Sequence, residues 1–218
     1  MTISNDSRAR FKKVFEPIAL GMGRLGLTPD ALTLIGFGIS IIGAVLVGLE
    51  QWLIGGIVVF VGGAFDMFDG TLARATGQVS KLGAFMDSVF DRWGEAVVYL
   101  GIVAGTVLAG FDEGAVVAAA AMGAAFMVSY TRAKSEGLGF SEGTGMAAIG
   151  IMPREIRLVI LSAGLILAGV LGGVSIDEPQ QAGSAALLIA LGIIAIGSIL
   201  TVIQRILHVR SQARSTQH

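Results

Sequence analysis

The chain has 218 residues, a formal net charge of -1, 54% hydrophobic but only 14% charged residues, and a mean hydropathy of +0.79. Soluble domains carry about 25% charged residues, so this balance excludes an ordinary soluble domain and points to an integral membrane protein. The absence of cysteine excludes disulfides and thiolate metal sites, and the two histidines, His208 and His218, stand too near the C-terminus for an imidazole-rich metal site.

In chain order, residues 7–26 come first and read as an amphipathic surface helix. Phe11, Val14, Phe15, Ile18 and Met22 share one face, and Arg10, Lys12, Lys13 and Glu16 lie largely elsewhere. The opening residues are polar and lack the apolar core and small-residue cleavage site of a signal peptide. Thr28, Pro29 and Asp30 then mark a helix start. Six apolar segments follow that approach the roughly 20 residues needed to span a bilayer: Ala31–Leu49, Trp52–Leu72, Asp87–Gly110, Ala115–Ser135, Pro153–Gly173 and Ala182–Val209. The expected fold is a single all-α membrane domain over residues 1–218, with six transmembrane helices behind an N-terminal interfacial helix. The 32 glycines suit close helix packing in lipid.

Charge sets the expected orientation. Arg8, Arg10, Lys12, Lys13 and Arg24 precede the first span, and Arg74, Lys81 and Arg92 flank the connection between spans 2 and 3. Arg132, Lys134, Arg154 and Arg157 flank the connection between spans 4 and 5, and Arg205, Arg210 and Arg214 follow or end the sixth span. All fifteen basic residues therefore fall on one side. The remaining connections carry only acids: Glu50, Asp112, Glu113, Asp177 and Glu178. By the positive-inside rule, both termini and that side are cytoplasmic and the protein sits in the cell membrane.

Four carboxylates concentrate on this side, as Asp66-x-x-Asp69-Gly70-x-x-Ala73-Arg74, eight residues, then Gly83-x-x-x-Asp87-x-x-x-Asp91. Residues three and four apart share a helical face, so two helices can present two carboxylates each to one space. Gly77 and the polar stretch Thr76–Lys81 supply the reversal between them. Ionised groups at membrane depth persist where they pair, bind ions or line a polar cavity. Within the run only Arg74 and Lys81 offset the acids, which leaves bound divalent metal as the cheapest solution. Four carboxylates can hold two hard cations such as Mg²⁺, with Mn²⁺ also suited to oxygen ligands. Paired ions of this kind serve phosphoryl chemistry.

All eight signature residues match the pattern of the CDP-alcohol phosphotransferases, and the chain resembles that family. The resemblance implies a transferase that cleaves the pyrophosphate of a CDP-linked donor, releases CMP and joins the donor phosphate to an acceptor hydroxyl. It implies Asp66, Asp69, Asp87 and Asp91 as metal ligands, with Asp91 also the base for that hydroxyl. It implies Gly70, Ala73, Arg74 and Ser80 near the CDP group. Gly26-Leu-Thr-Pro-Asp-Ala-Leu-Thr33 is similar to the family's entrance to span 1, which implies donor contacts at Pro29, Asp30, Ala31 and Leu32. It further implies a homodimer; nucleic acid is not an expected partner.

The acceptor must be read outside the signature. Arg132, Lys134, Arg154, Arg157 and Arg205 lie at the ends of spans 4, 5 and 6 on the acidic side, and such a cluster suits an anionic acceptor. The stretches Ser129–Glu136, Arg154–Leu158 and Gln204–Ile206 resemble those of actinobacterial phosphatidylinositol phosphate synthases. That implies CDP-diacylglycerol as donor and inositol 1-phosphate as acceptor. The alternatives are a phosphatidylglycerophosphate synthase acting on glycerol 3-phosphate, an enzyme for an uncharged acceptor such as free inositol, and a cation or proton carrier using intramembrane carboxylates.

Overall fold

The computed structural model describes residues 16–140, 146–175 and 181–215. Every regular element among them is helical. Residues 16–24 belong to the first helix, α1. It is followed by α2 (Pro29–Gly48), α3 (Trp52–Phe65), α4 (Met67–Thr76), α5 (Lys81–Leu108) and α6 (Asp112–Gly137), then a short 3₁₀ turn at Met146–Ala148, α7 (Arg154–Val170) and α8 (Gln181–Ser215).

Helix boundaries follow local chemistry. The Thr28 hydroxyl caps α2 by accepting from the Ala31 amide at 3.2 Å, with Pro29 at the first helical position. The expected helix start is thus in place. Gly77 ends α4 at φ +69°, a left-handed conformation open to glycine. Ser80 then caps α5 by accepting from the Gly83 amide at 2.9 Å.

Six long helices close into a ring. Their principal packing partners run α2, α5, α6, α8, α7, α3 and back to α2. Tyr99 and Ile102 from α5, Leu165 from α7 and Leu191 and Ile194 from α8 fill its centre, all essentially inaccessible. The outer surface carries exposed Ile42, Val45, Ile54, Val116, Ile189 and Ile196, the reverse of a water-soluble arrangement and a fit to lipid. The approach of α2 and α3 is one that only glycine permits. A Cβ on Gly55 would meet Val47 Cγ2 at 2.6 Å and the Val47 amide nitrogen at 2.9 Å.

Among the described residues, four helical stretches are long and apolar enough to cross a membrane: Pro29–Gly48, Trp52–Thr76, Asp112–Gly137 and Gln181–Arg214. The sequence reading has two more. The difference lies in α5, whose first half carries Lys81, Asp87, Asp91, Arg92 and Glu95, and in α7, only 17 residues long and opening on Arg154, Glu155 and Arg157. The second expected span is also broken. Asp66 ends α3 and begins α4.

Of the expected surface helix, Phe11, Val14 and Phe15 lie outside the described residues. In the part described, Ala19 is fully buried and packs with Leu32 and Leu72, flanked by Met22, while Ile18 is 46% exposed. α1 is therefore seated on α2 and α4, the helices that carry much of the acidic site.

Overpacking a tight helix contact costs about 1–3 kcal/mol, so Gly55→Val is expected to lower the unfolding temperature in detergent. Gly123, with open space where a Cβ would stand, provides the contrast. Gly123→Ala is expected to be neutral or slightly stabilising, since Ala exceeds Gly by about 1 kcal/mol in a helix. Equal unfolding temperatures for the two variants would contradict the packing described.

Candidate active site

The α3–α4 break and the α4–α5 reversal bring the acids together. Asp66 sits at the break, Asp69 in the first turn of α4, and Asp87 and Asp91 on successive turns of α5. One oxygen from each of Asp66, Asp69 and Asp87 lies within 4.8 Å of the others. At that separation and an effective dielectric near 20, each pair of ionised carboxylates repels by roughly 3–4 kcal/mol. A shared divalent cation removes that cost, and an all-oxygen donor set suits Mg²⁺ or Mn²⁺.

Three of the four acids are oriented by a partner. Asp69, 5% exposed, accepts from the Thr33 hydroxyl of α2 at 2.5 Å through Oδ2 and from the Gly70 amide through Oδ1. Asp66 Oδ2 accepts from Arg154 Nη1 at 2.7 Å. The same nitrogen lies 2.8 Å from Asp91 Oδ1, and Arg92 Nη1 lies 3.1 Å from Asp91 Oδ2. Asp91 thus stands beside Asp66 across one guanidinium rather than in the group of three. Arg154 and Arg92 offset two of the four negative charges, and the remainder still asks for a cation.

The expected donor contacts divide. Asp30 and Ser80 both border Gly83: a Cβ there would stand 3.7 Å from Asp30 Oδ1 and 3.1 Å from Ser80 Oγ. Arg74 is exposed, lies against Gly70 and approaches the Thr71 hydroxyl at 3.5 Å. Pro29, Ala31 and Ala73 are partly accessible near these ends. The Leu32 side chain is fully buried beneath α1, packed with Ala19 and Leu72.

The expected acceptor cations also divide. Arg132 is exposed and pairs with Glu136 one turn on at 3.0 Å, and Lys134 is exposed. Arg205 is 4% exposed and donates through Nε to the Ile149 carbonyl at 3.0 Å and through Nη1 to the Val128 carbonyl. Through these two carbonyls Arg205 ties α8 to α6 and to the segment preceding α7. Arg157 is 1% exposed and forks onto Glu95, with Nε at 2.7 Å and Nη2 at 2.8 Å. It also donates from Nη1 to the Met152 carbonyl at 3.1 Å. All three of its guanidinium nitrogens are therefore engaged within the fold.

Two small cavities beside the site share Ser40, Gly94 and Arg154 as lining; one is also lined by Thr33, Phe37, Asp66 and Phe90, the other by Glu95 and Arg157. Thr33, Arg92 and Glu95 were not among the expected site residues. Glu95 had a signal, since it continues the Asp87, Asp91 spacing by one more turn.

With this geometry in place, the comparisons with known proteins decide the family. Residues 26–211 match the CDP-alcohol phosphatidyltransferases. The chain belongs to that family. The archaetidylinositol phosphate synthase of Pyrococcus horikoshii is 37% identical over 167 residues, 77% of this chain and 84% of its own length. The phosphatidylinositol phosphate synthase of Mycobacterium marinum is 37% identical over 202 residues, 92% of this chain and 81% of its own. The crystal structure of the Mycobacterium tuberculosis phosphatidylinositol phosphate synthase with CDP-DAG bound superposes with a TM-score of 0.75 at 29% identity. It covers 90% of this chain and 94% of that one. A second structure of that enzyme, in complex with manganese and citrate, gives the same TM-score over 90% of this chain and 88% of that one. Membership in a transferase family displaces the carrier alternative.

Partners that orient a metal-binding carboxylate are commonly worth about 10–100-fold in metal affinity or activity. Thr33→Val keeps the volume and removes the hydroxyl bonded to Asp69. It is expected to weaken Mn²⁺ binding about tenfold, measured by electron paramagnetic resonance titration of the purified protein. Unchanged affinity would show that the hydroxyl does not orient the site.

Proposed function

We propose that this chain transfers the phosphatidyl group of CDP-diacylglycerol to a hydroxyl of inositol 1-phosphate, releasing CMP and leaving phosphatidylinositol phosphate in the membrane. The observation that carries this reading is the gathering of Asp66, Asp69 and Asp87 within 4.8 Å, with Arg154 on Asp66 and Asp91 beside them. The named activities of the relatives in the same family support it.

In this reading Asp66, Asp69, Asp87 and Asp91 hold two divalent ions, Mg²⁺ or Mn²⁺. When bound, the ions supply charge neutralisation for the donor's pyrophosphate and its leaving oxygen. The protein supplies the rest. Asp30, Gly70, Arg74, Ser80 and Gly83 border the space for the CDP group, and Arg74 can contact a phosphate. Arg132, Lys134 and Arg205, with Arg154, receive the anionic acceptor. The acceptor oxygen forms a bond to the lipid-side phosphorus, the bridging phosphorus–oxygen bond breaks, and CMP leaves with the electron pair. The hydroxyl proton passes to the Asp91 carboxylate.

The proposal extends to the whole molecule. All six helices of the ring cross the cell membrane as one domain, α1 lies at its surface, and both termini and the site face the cytoplasm. Two chains form a homodimer. Support for the span count comes from α5 and α7, whose apolar halves face the same interior as their longer neighbours and whose charged halves all belong to one end.

The test is CMP release from CDP-diacylglycerol in detergent or vesicles with Mg²⁺ or Mn²⁺. Inositol 1-phosphate is expected to support turnover well above glycerol 3-phosphate or free inositol. Equal rates with free inositol would remove the acceptor assignment and leave the family intact. Asp91→Asn is expected to lower the turnover rate about 10²–10⁴-fold, the usual range for general base catalysis, with donor affinity nearly unchanged. Loss of donor affinity at an unchanged rate would take Asp91 out of that role.

A further inference from the structure

The interior of the ring is crossed by two ion pairs, one helical turn apart. The outer pair joins Asp91 of α5 to Arg154 of α7 at 2.8 Å. The inner pair joins Glu95 of α5 to Arg157 of α7 at 2.7 and 2.8 Å. Asp91 and Glu95 are four residues apart, and Arg154 and Arg157 three apart, so each couple shares a helical face. These helices face one another across the ring. α5 packs chiefly on α2 and α6, and α7 chiefly on α3 and α8. The space between them is the cavity lined by Ser40, Gly63, Gly94, Glu95, Arg154 and Arg157. Two side-chain ion pairs, above the shared apolar core, thus join α5 to α7 in place of close backbone packing.

We propose that Glu95 is a positioning residue: through the Arg157 fork it sets the first turn of α7 and so holds the Arg154 guanidinium at Asp66 and Asp91, where the acceptor meets the acidic site.

The path is continuous. Arg157, clamped by Glu95, also binds the Met152 carbonyl, two residues before Arg154. The Met152 amide donates to the Thr201 hydroxyl of α8 at 3.0 Å, so both backbone groups at this point are fixed. Stability does not explain the inner pair. The side chains of Arg157 and Glu95 are 2% and 10% exposed. Replacing such a buried pair by apolar residues is often neutral or stabilising, while removing one partner is costly. What the pair supplies is a planar, two-bond geometry that fixes direction as well as distance.

This inference deepens the proposed acceptor reading and rests on it, so its test includes a readout that needs no substrate. The full-length protein is compared with Glu95→Gln, Glu95→Asp and the double variant Glu95→Leu with Arg157→Met. For Glu95→Gln, the KM for inositol 1-phosphate is expected to rise tenfold or more and kcat to fall, with the KM for CDP-diacylglycerol within twofold of wild type. Glu95→Asp is expected to recover part of the loss. The double variant is expected to unfold near the wild-type temperature yet keep the raised acceptor KM. In a substrate-free Mn²⁺ titration, Glu95→Gln is expected to bind several-fold tighter, because a released Arg154 no longer competes for the carboxylates. Wild-type kinetics in Glu95→Gln, or a double variant restored to the wild-type acceptor KM, would overturn the positioning role. If wild type itself showed no acceptor-dependent CMP release, the functional reading would fail. The Mn²⁺ titration would then judge the positioning role alone, and unchanged affinity would overturn it.

Discussion

Mutual repulsion of carboxylates in a low-dielectric setting is the constraint on which the rest of this structure depends. Asp66, Asp69 and Asp87 present oxygens within 4.8 Å of one another, and Asp91 joins them across Arg154. No arrangement of apolar helices would tolerate that density of charge without compensation. The fold supplies directed compensation from four helices. A buried hydroxyl comes from α2 at Thr33, a backbone amide from α4 at Gly70, and guanidinium groups from Arg92 and Arg154 on α5 and α7. What these leave is a net negative pocket of hard oxygen donors, the chemical definition of a divalent-cation site.

The ring of helices makes the pocket possible. The α3–α4 break at Asp66 and the capped reversal from Gly77 to Ser80 allow two acidic helices to face one another at one end. Beyond that end the ring closes over an apolar core from Tyr99 to Ile194. Between core and site lies a polar layer, Glu95 and Arg157, which belongs to neither. The molecule thus grades from charged, through paired, to apolar along the axis of the ring. This gradation accounts for helices such as α5 that are half polar and fall short of a uniformly apolar span.

Much of this was legible in the sequence because it is local. The spacing of Asp66, Asp69, Asp87 and Asp91 places them on helical faces without knowledge of any neighbour, and Thr28, Gly77 and Ser80 act within their own turns. What was not legible is pairing across distance. Arg157 looked like a free cation three residues from Arg154, because its partner Glu95 is 62 residues away. Thr33 merely closed the stretch that resembles the family's entrance to span 1, and its bond to Asp69 spans 36 residues. Leu32 stood beside Asp30 in a stretch resembling a nucleotide entrance, yet it points under α1. Helical phase fixes a face, but only packing decides what covers that face. The span count differed for the same reason: positive-inside alternation counts segments, whereas length and apolarity judge each helix alone.

The central claim is that the carboxylates of α4 and α5, with Asp66 at the α3–α4 break, form a divalent-metal site. Anomalous diffraction at the manganese edge, from crystals of the protein grown with Mn²⁺, tests it most directly. The account requires manganese peaks in direct contact with the carboxylates of Asp66, Asp69 and Asp87, lost in the Asp69→Asn variant. Crystals with no manganese at these carboxylates, or with manganese bound only elsewhere on the chain, would contradict it.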